Sequence, residues 1–248
     1  MRSAITLKHI VLLLMISGMW LHGFSQFTDS THYRATYQSS GSINRTRDGN
    51  TYLLNNAFRF GVKKKDMLLN FNNSWIYGRQ QDALTNNDFS TSLDFNLYQT
   101  PKFYYWGLAN YNTSYSLKVN NQLLAGVGLA YNILDKENAY LNVSDGVLYD
   151  KSDLFLNDTT RDVYHTYRNS ARLAFRFTIY KVITIESSTF LQNSFDYGYD
   201  YIIRSTNSLS FKLNPWLSLT TALAYNRQNR TNSENLLFTY GLTLEKYF

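Results

Sequence analysis

From about residue 30 onward one pattern dominates the chain: an apolar or aromatic side chain at every second position, with polar ones between. Over residues 67–77, Met67, Leu69, Phe71, Asn73, Trp75 and Tyr77 share one face, and Asn70, Asn72 and Ser74 the other. Residues 52–62 set Leu54, Phe58, Phe60 and Val62 against Asn55, Arg59 and Gly61. Residues 171–179 set Leu173, Phe175, Phe177 and Ile179 against Arg172, Arg176 and Thr178. Side chains alternate across a β-strand, so this pattern predicts strands with a different environment on each side. Such segments fall near 30–45, 51–63, 67–79, 88–99, 102–115, 122–134, 139–150, 162–179, 182–192, 199–213, 216–227 and 236–248. Each reaches the roughly 9–11 residues that a tilted strand needs to cross a bilayer. In 102–115 two registers compete: Tyr104, Trp106 and Leu108, or Phe103, Tyr105 and Tyr111, could take the outer face. In 139–150 the pair Asp145-Gly146 reads as a bulge or a polar lumen position.

The connections separate a barrel from a sandwich. Alternate ones are short: Lys64-Lys65-Asp66, Thr100-Pro101-Lys102, Asp135 to Asn138, Tyr180-Lys181 and Asn214-Pro215. The intervening ones, 80–87, 151–161, 193–198 and 228–235, are longer and more polar. Short turns on one rim and long loops on the other characterise outer-membrane barrels, and both prolines fall in the short set, where no ladder donor is lost. The fold expected is all-β: a transmembrane antiparallel up-and-down β-barrel of about twelve strands, within ten to fourteen.

Composition agrees. The chain holds 21 Tyr and 16 Phe against 2 Pro, and is 44% hydrophobic with a negative mean hydropathy, as strands wetted on one face and greasy on the other would give. It has no cysteine, so disulfides do not hold it together. Residues 1–25 read as a cleaved secretory signal peptide: Arg2 and Lys8 precede an apolar run from Ile10 to Met19, which is too short for a spanning helix, and Ser25 supplies a small residue at the cut. The barrel domain is then 26–248. Removing Arg2 and Lys8 leaves 22 basic against 18 acidic residues, dispersed, with no basic stripe for nucleic acid. In the last segment Phe238, Tyr240, Leu242, Leu244 and the terminal Phe248 share a face, an assembly signal of the kind read by barrel-assembly machinery. The partners expected are outer-membrane lipids, that machinery and periplasmic chaperones, with a monomer as the default and an outer-membrane location.

Few residues suggest chemistry. Beyond the leader there are only two histidines, His32 and His165. A Ser/His/Asn arrangement can be drawn from His165, Asn169 and Ser170, as a lipid-modifying enzyme would need; a solvated rim histidine is the plainer reading, and no catalytic residue is assigned. Asp153, Asp158 and Asp162 lack the spacing of a calcium loop. No metal or cofactor is expected. The alternation puts Arg59, Asp94, Arg172, Arg176, Glu186, Arg204, Lys212 and Glu245 inside the barrel, either pairing across it or lining a narrow polar path. The function expected is passive: envelope integrity, or a narrow channel for small polar solutes or ions. A soluble secreted β-sandwich is the third class.

Gly126-Val127-Gly128-Leu129-Ala130-Tyr131, followed by Asn169-Ser170-Ala171-Arg172 leading into an alternating strand, resembles the YdiY-like family, whose members are called salt-induced outer-membrane proteins. The resemblance covers most of the chain beyond residue 25. It implies a barrel, hints at osmotic or ionic stress, and brings no catalytic residues.

Overall fold

The computed structural model describes residues 32–46, 49–157 and 160–247; the leader, Asp158 and Phe248 lie outside the described residues. Twelve strands follow one another: β1 (Tyr33–Thr46), β2 (Gly49–Lys64), β3 (Met67–Gln80), β4 (Ala83–Tyr98), β5 (Phe103–Ser114), β6 (Val119–Lys136), β7 (Ala139–Phe155), β8 (Arg161–Ile179), β9 (Ile183–Ser194), β10 (Tyr201–Asn214), β11 (Leu217–Gln228) and β12 (Ser233–Tyr247). A single 3-10 turn, Asn229–Thr231, joins the last two. Each strand pairs antiparallel with the next, and β12 closes on β1 from Arg34 opposite Tyr247 to Ser40 opposite Gly241. Closure along this seam pairs strand edges that hydrocarbon would otherwise leave exposed, the condition for a sheet to span a membrane.

The outer surface follows from the alternation. Tyr37, Leu54, Phe58, Phe71, Trp75, Leu93, Tyr105, Leu129, Leu173, Leu219 and Leu242 all point outward and are exposed. In water this would be an aggregating surface; around a transmembrane barrel it is the lipid-facing belt. In β5 the competition resolves toward Tyr105 and Tyr111 outside, both exposed, while Tyr104 is buried inside. Tyr240, Leu242 and Leu244 lie on the outer face of β12.

Three expectations are corrected. The polar stretch 80–87 is not a long loop: β3 and β4 run on to a two-residue turn, Gln81-Asp82. Its polarity marks a ladder continued beyond the lipid belt into water, where alternation of apolar residues is no longer required. For the same reason β6 starts at Val119 and β7 runs to Phe155, giving strands of 18 and 17 residues, with 19 in β8. Asp145-Gly146 is no bulge, because Leu129 pairs with Asp145 and Gly128 with Gly146 without a slip. Nor does Asp145 face the lumen: it shares the outward face with Leu129, and only Gly146 turns inward. Beside it, β6 does bulge, near Val119–Asn121 and Asn132–Leu134.

At the Gln81-Asp82 turn both residues have positive φ, 47° and 65°. That suits the twist of a tight hairpin but strains side chains other than Asn and Gly. Gln81→Asn with Asp82→Gly should therefore stabilise the barrel by about 1 kcal/mol, read as a higher urea midpoint for unfolding from vesicles.

Candidate functional site

The lumen is the one enclosed polar environment that the fold builds. Stepping across the ladders, Thr36, Arg59, Asn72, Ser92, Asn110, Leu124, Asp150 and Thr166 are successive cross-strand partners, so all share the inner face. From β11 through β12 and β1 to β3 small side chains (Thr220, Ala222, Thr239, Gly241, Ser40, Ala57 and Ser74) are interspersed with larger ones such as Leu237, Arg34, Gln38, Leu53, Arg59 and Ile76. From β5 to β10 the inner face carries bulk: Tyr104, Trp106, Leu124, Leu148, Arg168, Phe190 and Arg204.

At the end bearing the longer connections, a polar network fills the bulky side. Arg168 is completely buried and donates to Asp150 at 2.5 Å, to both carboxylate oxygens of Asp200 at 2.8 and 2.9 Å, and to the Tyr164 hydroxyl at 2.7 Å. Gln122 and Ser152 donate to the same Asp150 carboxylate. Buried charges are tolerated when paired and saturated with hydrogen bonds, as these are. Arg230, from the 3-10 turn, closes the arrangement from above: it reaches Asp162 at 2.6 Å and Asp200 at 3.4 Å, with its guanidinium over the rings of Tyr164 and Tyr197. The segment 115–118 meets this turn where Thr231 donates to the Leu117 carbonyl, and the Asn235 amide donates to Ser116.

Just below, Arg204 of β10 extends to the far side of the bore and donates to Asn110 and Asn112 of β5 and to Gln122 of β6, at 3.4, 3.4 and 3.0 Å. A side chain thus bars part of the lumen. On the rim outside the lipid belt, the Arg161 guanidinium, helped by the Asn120 and Asn121 amides, holds the Asp153 carboxyl below the usual carboxylate range.

The half nearer the short turns holds further inward charges. Register places Arg59, Asp94, Arg172, Arg176, Glu186, Lys212 and Glu245 on the inner face of this half, and Arg204 on the same face above them. Asp94 accepts from Asn70 and Asn72; Glu245 is paired with Arg34 at 2.6 Å. Arg172 donates to Ser188 and lies over Phe190, and Arg176 lies over Tyr140. The alternation that marked Arg172 and Arg176 extends to Arg168, four residues earlier on the same face, so that residue was within reach of the sequence. Asp200 sits in a connection and carried no such signal.

The Ser/His/Asn arrangement does not form. His165 and Asn169 lie on the outward face of β8, whereas Ser170 points inward, is 3% exposed, and accepts from Gln192. The wall of the barrel stands between them. Asp153 and Asp162, two of the three loop carboxylates, are drawn to different arginines, and no metal-binding cluster occurs among the described residues.

Comparison with the curated proteins gives no match. Among solved structures the chain is similar to NanC porin, with TM-score 0.53 and 12% identity over 84% of this chain and 98% of that one. It is also similar to the translocator domain of the autotransporter NalP from Neisseria meningitidis, with TM-score 0.50 and 12% identity over 96% and 94%. At such identities the likeness is one of fold: a transmembrane β-barrel. A family profile matches residues 35–245, nearly the whole described barrel, and the chain belongs to that family, described as protein of unknown function, DUF481, which includes the YdiY-like proteins.

Proposed function

We propose that this barrel lies in the outer membrane of a Gram-negative-type bacterium and passes small polar solutes, anions ahead of cations. The observation that carries the reading is the excess of basic over acidic side chains on the inner face of the half nearer the short turns. The sign of the preference follows from that excess. In that half Arg59, Arg172, Arg176 and Lys212 stand with Asp94 and Glu186, while Glu245 is already paired with Arg34. Fixed charge inside a low-dielectric wall concentrates the opposite ion. The lipid-modifying alternative has no nucleophile beside His165, so no catalytic residue is proposed.

The test is single-channel recording from the refolded barrel in a planar bilayer under a salt gradient, with folding verified first. Steady steps with a reversal potential favouring anions are expected. Arg172→Glu with Arg176→Glu should turn the preference toward cations. A folded barrel that stays silent would overturn the channel reading in favour of a closed structural barrel, and unchanged selectivity in the double variant would refute the role of the arginines.

A further inference from the structure

Asp145 is placed where a charged side chain is least expected. It is the seventh residue of β7, about midway along the span that a strand needs to cross the bilayer. It is exposed on the outward face, among Val143, Val147, Leu129 and Val127, all exposed to the lipid belt. Charge facing hydrocarbon at this depth is destabilising, and other outward charges among the described strand residues, such as Lys151, Arg227 and Lys246, lie toward strand ends. Two neutral polar groups on the outer face have two local donors and one local donor respectively: Asn56 accepts from Tyr37 and Ser39, and Asn207 accepts from Ser187. Asp145 has one local donor, the Asn169 amide at 2.7 Å.

We infer that the β6–β8 face is the contact surface of a homodimer, with the Asp145–Asn169 pair at its centre. Lipid tails offer no hydrogen bond, so a partner able to relieve this carboxylate has to present a polar group at the same depth in the membrane. A second copy related by a two-fold axis along the membrane normal does so by symmetry, since depth is preserved under that rotation. The groups are complementary across such an axis. Asn169 has a second N–H and an amide oxygen to offer, and Asp145 has a second oxygen, so each copy's amide can donate to the other's carboxyl. The flanking residues Val127, Val143 and Val147 are short, letting two walls approach closely enough for these groups to meet. The inference rests on membrane residence and is independent of whether the lumen conducts.

The absence of cysteine in the chain makes the test clean. Val147→Cys in the full-length barrel, oxidised in native membranes, should give a cross-linked dimer, while Leu54→Cys on the outer face of β2 should not. Adding Asp145→Leu to the Val147→Cys chain should lower the cross-linked fraction about tenfold, the equivalent of ~1.4 kcal/mol, while Asp145→Asn, which keeps a polar group in place, should retain most of it. Heat-modifiable migration of every variant on gels confirms that each barrel has folded. A monomeric Val147→Cys chain, equal cross-linking at both positions, or a Leu variant as dimeric as its parent would each overturn the inference. Conductance of the Asp145→Leu barrel, recorded alongside, tells a failed interface from a failed channel.

Discussion

Arg168→Leu should cost the folded barrel about 3–5 kcal/mol and release the connection at residues 195–200. The guanidinium bridges Asp150 of β7 and Asp200 of that connection, and all three side chains are fully buried. Taking it away leaves Asp150 with neutral donors and Asp200 with the 3.4 Å contact to Arg230, both out of solvent, which is far worse than never having had the charges there. Arg168→Lys should be costly too, because an ammonium cannot reproduce the forked contacts to Asp200 while still reaching Asp150 and the Tyr164 hydroxyl. Replacing Asp150, Arg168 and Asp200 together by apolar residues of similar volume should recover much of the loss, since the desolvation cost then disappears with the charges. The measurements are urea midpoints in vesicles and limited proteolysis at 195–200. An Arg168→Leu barrel with an unshifted midpoint and an uncut connection would show that water already reaches this network and that it is no fastening.

The alternation made the barrel legible because membrane residence leaves so little freedom. Within the lipid belt most outward positions are apolar or small and the inward ones tolerate polarity, so strand and face can be read from period two alone. Legibility fails where that constraint lapses. Above the belt both faces of a strand meet water, which is why 80–87 looked like a loop while Asn86 and Asn87 were continuing the ladder against Gly78 and Tyr77. The inner position of Arg59, Arg172 and Arg176 follows from parity, but what each meets depends on which strands lie across the bore, and parity is silent on that. Arg204 reaching Asn110, Asn112 and Gln122 joins residues 82–94 positions apart in the chain. The polarity of Asp145-Gly146 suggests a bulge or a lumen position, whereas the register with Leu129 turns Asp145 outward without a slip. A departure from the alternation in a membrane strand points to a partner as readily as to a bend.

The glycines of Gly126-Val127-Gly128 predict the last large effect: Gly128→Val should destabilise the barrel by about 1–3 kcal/mol or prevent its folding. Trp106 of β5 is the cross-strand partner of Gly128, which in turn partners Gly146, so three neighbouring strands meet at one inward level with a single side chain among them. The indole lies across both glycines and donates to the Leu129 carbonyl at 3.2 Å. A Cβ on Gly128 would stand 2.5 Å from two indole carbons and 2.3 Å from the Asp145 carbonyl oxygen; one on Gly146 would meet the same ring at 2.5 Å. The glycines are thus the seat of the tryptophan, and the recurring motif has a steric cause that does not require a ligand. Because part of the obstruction is the ring and part is backbone, Trp106→Leu should rescue Gly128→Val in part. The double variant should then be more stable than the sum of the two single losses allows. Strict additivity in that cycle, measured as urea midpoints of refolded barrels, would mean that the indole does not rest on Gly128, and the motif would need another explanation.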